Sequence, residues 1–157
     1  KPTSGKNHLT TADYQQTIHS MGTSLSMWVN RLLSKQLLDS PSRIISFTSE
    51  GIDRLLPNYG AVAAAKSVLE QITKALAIEL APKQITVNCI QAGVTLTPSL
   101  QRIPQSTDTV EKSIKRNPHQ RLTTAQDVAN AVYLLTRTES QWITGSIIKV
   151  DGGEHLV

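Results

Sequence analysis

Two hydrophobic periods alternate along this 157-residue chain, and the alternation limits the folds open to it more than any other feature. From about Tyr14 to Leu38, Met21, Leu25, Trp28, Leu32 and Leu33 recur at helical spacing. Thr11, with Asp13 and Tyr14 after it, predicts the helix start, because a short oxygen-bearing side chain caps free backbone N–H groups. Asp39-Ser40-Pro41-Ser42 predicts its end. The β-branched run Arg43–Thr48 reads as a buried strand, and Gly51 and Pro57 mark Glu50 to Asn58 as a loop. A second helix is predicted from about Tyr59 to Leu80, where Val62, Ala65, Leu69, Ile72, Leu76 and Leu80 step by three or four. Ala61, Ala63, Ala64 and Ala65 leave room on it for another backbone, and Pro82-Lys83-Gln84 breaks it. Ile85–Ile90 is a second strand, with Gln91-Ala92-Gly93 as the turn after it. Residues 98–121 are polar and carry Pro98, Pro104 and Pro118, which predicts a long loop with a helical piece at Thr109–Lys115. Thr123 or Thr124 caps a last helix over Gln126–Arg137, and Ser146–Val150 is a final strand closed by Asp151-Gly152-Gly153.

Helix, strand, helix, strand, loop, helix, strand is the order of an α/β fold with a parallel sheet. The length suits one domain over residues 1–157. Net charge is +4, too mild to be a nucleic-acid signature by itself. No apolar run approaches the roughly 20 residues of a membrane helix. The polar start Lys-Pro-Thr-Ser-Gly-Lys-Asn-His has no apolar signal core and no initiator Met, so residue 1 is not expected to be the natural start. Cys89 stands alone, which excludes an internal disulfide and is consistent with a reducing, cytoplasmic setting. No metal-ligand set is assigned.

Four segments, in this order and spacing, resemble the short-chain dehydrogenase/reductase family. They are the strand Arg43–Phe47 running into Thr48-Ser49, the helix Lys66–Leu80 continued by Ala-Pro-Lys-Gln-Ile-Thr-Val-Asn, the stretch Ala92-Gly93-Val94-Thr95-Leu96-Thr97, and Gly145–Gly153. The resemblance covers residues 14 to 157 and implies a Rossmann-type doubly wound sheet. The Gly-rich turn that cradles the dinucleotide pyrophosphate in the first half of such folds does not occur here. The chain therefore reads as the second half only, the first half being lost, not included, or carried by another chain. Such a piece alone should bind a dinucleotide poorly.

Most of the family places Tyr four residues before Lys on one helix. Lys66 fits the Lys, but Val62 occupies the other slot. The nearest phenol is Tyr59, seven residues before Lys66. Seven steps of about 100° return almost to the same helix face, about 10 Å along the axis. This spacing is similar to the Tyr-x6-Lys pattern of enoyl-acyl-carrier-protein reductases, and Pro57-Asn58-Tyr59 also looks like that branch. The resemblance implies that Tyr59 hydrogen-bonds a thioester carbonyl and stabilises the enolate, while Lys66 holds the ribose hydroxyls of NADH or NADPH. It implies a site-lining role for Ser49, ten residues before Tyr59, and cofactor contacts for Thr48, Gly93, the Val94 backbone and Thr97. The Asn that many members place on the preceding helix is absent from the slots His19 to Met21, which weakens a ketone-reductase reading.

The resemblance makes residues 98–121 the mobile substrate-binding loop. Arg102, Lys112, Lys115, Arg116 and Arg121 near it would steer an acidic acyl carrier protein bearing the acyl thioester. It also implies a homotetramer in which the two long helices pair across a two-fold axis, with Met27 and Trp28 at the contact. Three readings stay open: reduction of an enoyl thioester, reduction of a carbonyl or secondary-metabolite intermediate, and a non-catalytic member serving as a partner subunit.

Overall fold

Three of the β-branched runs pair into one sheet. The computed structural model describes residues 8–54, 59–101 and 106–157. Strands β1 (Arg43–Ser49), β2 (Thr86–Ala92) and β3 (Ile147–Val150) are parallel in the order β1-β2-β3. Their register sets Ser49 beside Ala92 and Ala92 beside Val150, so all three strands end level. Ligands of open parallel sheets bind at this carboxyl edge. The α/β order expected from the sequence is the order observed, although β2 runs two residues further than expected and takes in Gln91 and Ala92.

The N-terminal helical region differs from the single helix expected. Helix α1 (Thr11–Ile18) leads into a π-helical stretch over His19–Thr23, and α2 (Ser24–Ser34) follows. The cap is Thr10, one residue before the expected one. Its hydroxyl accepts from the Asp13 N–H at 3.3 Å while Asp13 accepts from the Thr10 N–H at 2.8 Å. Helix α2 stops four residues early. The Leu37 N–H bonds to Leu32 O and the Gln36 N–H to Leu33 O, a Schellman ending with Gln36 at φ 54°. Gln in place of Gly at that left-handed position hides the stop from a sequence reading.

Helix α3 (Gly60–Leu80) lies against the sheet. Val29 of α2, Leu76, Ala77 and Leu80 of α3, and Ile85 and Val87 form the main core, with Ile44 and Ile72 packed beside it. Each such aliphatic side chain contributes about 1.5–3 kcal/mol on burial. Deeper in, Thr73 and Ser46 share a hydrogen bond of 3.0 Å between helix and strand. The alanines expected to admit a neighbouring backbone do so: Ala65 is fully buried, and a Cβ on Gly22 would stand 2.8 Å from Ala65 O.

The segment expected as a long loop with a helical piece at Thr109–Lys115 holds two helices, α4 (Pro98–Gln101) and α5 (Ser106–Arg116), and α5 takes in the expected piece. Residues 1–7, Pro57, Asn58, Arg102 and Pro104 lie outside the described residues. Helix α6 (Ala125–Thr136) packs on β1 and β3, capped by Thr124 with Asp127 closing the box. Hydrogen bonds from Arg121, then from the Thr124 N–H and hydroxyl, hold the Asp127 carboxyl well below the usual carboxylate range. No helix among the described residues is long and apolar enough to cross a membrane.

Two outcomes follow from this packing. Gly22→Ala should destabilise the fold by about 1–3 kcal/mol, since its methyl must push α3 away, and thermal unfolding will show the loss. Asp127 is lowered in the folded state, so its stabilising effect is present above the unfolded value of about 3.9 and lost as pH falls through the folded one. The melting temperatures of wild type and Asp127→Asn should therefore differ most near neutrality and converge below about pH 4.

Candidate active site

Tyr59 and Lys66 flank the first two turns of α3, and both reach the carboxyl end of β1. The Tyr59 hydroxyl lies 3.1 Å from Ser49 Oγ. Lys66 Nζ donates to Phe47 O at 2.7 Å. These anchor points are two positions apart, about 7 Å along β1. The three residues expected to act together are thus gathered on one strand end. Gly51 completes the seat: a Cβ there would collide with the Tyr59 ring, so only hydrogen lets the ring settle over the turn after β1. Burial lowers the Lys66 ammonium from its ordinary value.

Thr48 is buried, and its Oγ1 has no hydrogen-bond partner among the described residues. A buried hydroxyl without a partner is costly, and here it sits one residue from Ser49. Lys66 spends one of its three N–H donors on Phe47 O. Both facts fit a polar ligand at the end of β1.

On the β2 side the arrangement differs from expectation. The Gly93 N–H donates to Val150 O at 3.0 Å, and a Cβ on Gly93 would fall 2.5 Å from Thr123 Oγ1 and within 3.0 Å of Asp151. Glycine is needed there for the close approach of β3 and the Thr123 segment. The Val94 backbone is committed as well: its N–H donates to Glu154 Oε2 at 3.3 Å and its carbonyl accepts from the Thr123 N–H at 3.2 Å. The Val94 N–H is thus taken up by Glu154 in this arrangement, while its carbonyl keeps a second lone pair. Thr97 Oγ1 accepts from the Leu100 N–H at 3.2 Å and so begins α4.

Sequence reasoning missed a set of charged side chains at the same strand ends. Glu50 follows Ser49 directly. Its two carboxylate oxygens accept from Arg116 Nη2 at 2.9 and 2.8 Å, and Arg54 Nε stands 2.6 Å from one of them. The same Arg116 nitrogen pairs with Glu154, whose side chain is fully buried. Burial pushes the Glu50 carboxyl above its ordinary value, against the opposing pull of Arg116 and Arg54. Arg116 was expected on an exposed basic rim; it turns inward instead. Lys112 pairs with Asp108 at 2.8 Å and Arg121 with Asp127 at 2.7 Å. The only sequence signal for the inward set was the pair of acidic residues, Glu50 and Glu154, each directly after a strand-end motif.

Known proteins share this architecture. Residues 3–155 match the family described as enoyl-(acyl carrier protein) reductase. The NADH-dependent enoyl-[acyl-carrier-protein] reductase of Enterococcus faecalis is 35% identical over 123 residues, 78% of this chain and 49% of that protein. An NADPH-dependent aldehyde reductase-like chloroplastic protein of Arabidopsis thaliana is 37% identical over 111 residues, 71% of this chain and 41% of that protein. The crystal structure of the FabI protein of Candidatus Liberibacter asiaticus superposes with a TM-score of 0.86 at 32% identity, covering 94% of this chain and 57% of that one. The chain spans about half the length of the curated relatives it matches. On this fold, with residues 3–155 matched, the chain belongs to the short-chain dehydrogenase/reductase family of oxidoreductases, within its enoyl-(acyl carrier protein) reductase group, and its parallel sheet is of the Rossmann type.

Proposed function

We propose that this chain carries the catalytic residues of an NAD(P)H-dependent reductase that saturates the double bond of an enoyl thioester. The observation that carries the reading is the Ser49–Tyr59 hydroxyl pair at 3.1 Å, with Tyr59 seven residues before Lys66. A phenol held by a second hydroxyl is pre-aimed to donate a hydrogen bond to the thioester carbonyl. That oxygen gains negative charge as hydride reaches the β-carbon, so the bond strengthens in the transition state. Bound NADH or NADPH supplies the hydride. Lys66 would hold its ribose hydroxyls, and its ammonium adds positive charge near the developing enolate. Val62 has no ionisable proton, so the shorter family spacing has no donor here.

Reduction of a simple carbonyl is the second reading, favoured by the match to an aldehyde reductase-like protein. The same hydroxyl pair can polarise an aldehyde or ketone oxygen. An acyl carrier protein as thioester carrier, a homotetramer using the exposed Met27 and Trp28, and a cytoplasmic setting belong to the first reading. Exposed Lys115 on α5 supplies a cation for steering such a carrier.

The full natural polypeptide should oxidise NADH or NADPH with a crotonyl thioester and much less with simple ketones or aldehydes. Tyr59→Phe should lower kcat by about 10²–10³-fold, the usual effect of removing one oxyanion donor. Faster turnover of the ketone would transfer the reading to carbonyl reduction, and full activity in Tyr59→Phe would end the assignment of Tyr59. Gly51→Ala should also cut turnover, by roughly 10²-fold, while circular dichroism stays native, because a methyl there moves the Tyr59 ring.

A further inference from the structure

Arg116 stands where four parts of the chain meet. It is the last residue of α5, at the C-terminal root of the segment 98–116. Through Glu50 it holds the turn after β1, and Glu50 lies between Ser49, which bonds Tyr59, and Gly51, on which the Tyr59 ring rests. Through Glu154 it holds the turn after β3, and Glu154 in turn accepts the Val94 N–H beyond β2. Arg116 and Glu50 are 66 residues apart, so nothing local forces them together. The next residue, Asn117, is buried and donates to Asp151 O at 2.8 Å, which pins the root of α5 a second time.

A charged group is costly to bury unless it is paired. Two carboxylates drawn close to each other repel, and here one guanidinium bridges both while Arg54 supplies a second positive charge to Glu50. Arg116 is the partner that the two carboxylates share. We propose that Arg116 is a positioning residue for the candidate active site: by bridging Glu50 and Glu154 it fixes the Ser49–Gly51 seat of Tyr59 and the Gly93–Val94 turn relative to the base of the 98–116 segment. The inference rests on the reading of Tyr59 as the catalytic phenol, but the bridge itself is testable without activity.

The groups facing Glu50 are Arg116 from α5, Glu154 and Asp151 from the C-terminal turn, and Arg54 from its own turn. Removing Arg116 leaves Arg54 as the one cation among them, against three carboxylates. Glu50 should then take up a proton at higher pH than in the wild type, and the acid limb of the activity profile should move upward.

The experiment is Arg116→Met in the full natural polypeptide, followed by amide hydrogen exchange and by turnover against pH. Exchange should quicken about tenfold or more in residues 49–51 and 93–97, with no change in 87–90 of β2. Turnover should fall roughly 10- to 100-fold, as for a small displacement of a catalytic group, and Arg116→Lys should restore part of it. Unchanged exchange in both segments, or a uniform rise along the whole chain, would overturn the proposal. Should Arg116→Met not fold, Glu50→Gln keeps the hydrogen bond without the charge; it should flatten the acid limb, and a limb identical to wild type would be equally fatal. Tyr59→Phe is assayed alongside. If that variant keeps full activity while the exchange result holds, the bridge stands and the role of Tyr59 falls.

Discussion

The close approach of α3 to its neighbours decides where the chemistry can sit. Ala65 has no side chain beyond Cβ and Gly22 has none at all, so the π-helical stretch and α3 meet backbone to backbone. On the other side Thr73 reaches Ser46 across a buried hydrogen bond, and Leu76 and Leu80 pack with Val87. With the body of α3 fixed in both directions, its first two turns have no freedom to wander. Tyr59 and Lys66 stand on those turns, and β1 supplies Ser49 and Phe47 O to receive them. The core thus determines the spacing of the hydroxyl pair through a rigid helix.

How much of this was legible in the sequence depended on whether the responsible contact was local. Helix and strand alternation was readable, because periodicity is a property of neighbouring residues. The Tyr59 to Lys66 spacing was readable because seven residues on a helix return to one face. The stop of α2 was not, since Gln36 adopts the left-handed conformation in which glycine is the usual signal. Gly93 was singled out as a special position, but the packing reason for it was not legible. It admits Thr123 and Asp151, which lie 30 and 58 residues away in sequence. Arg116 was misplaced on the surface for the same cause: its partners Glu50 and Glu154 are distant in sequence, and a charge pattern near a polar segment reads as solvated.

The ion cluster also shows why net charge is a poor guide to this site. A chain of charge +4 suggests an open basic surface. Several of its cations are instead spent internally, Arg116 on two carboxylates, Arg54 on one of them, Arg121 on Asp127 and Lys149 on Asp53. Exposed pairs such as Lys112 with Asp108 contribute little to stability, while the Arg116 set is shielded enough for its geometry to matter. Burying such a cluster is not an efficient way to gain stability, because desolvation offsets much of the attraction. What it supplies is a directional constraint that an apolar contact of the same size would lack.

That constraint falls at the one level of the sheet where it can act on everything at once. Ser49, Ala92 and Val150 are in register, so the residues after them, Glu50, Gly93 and Asp151, emerge side by side. A parallel sheet always gathers its outgoing turns in this way, which is why its ligand crevice forms there. The turns themselves are held by few backbone bonds and would otherwise move independently. Gly93 ties the second to the third through Val150 O, and Asp151 closes the third on itself, accepting from the Gly153 and His155 N–H groups and lying 2.5 Å from the His155 ring. The first turn is joined to the other strands by side chains: Arg116 bridges Glu50 to Glu154, Gln91 Nε2 of β2 donates to Asp53 Oδ2 at 3.0 Å, and Lys149 of β3 pairs with the same oxygen at 3.4 Å. The turn that carries the neighbours of Tyr59 is therefore held by side chains rather than by backbone, and Arg116 is the member of that set that ties it to the base of α5.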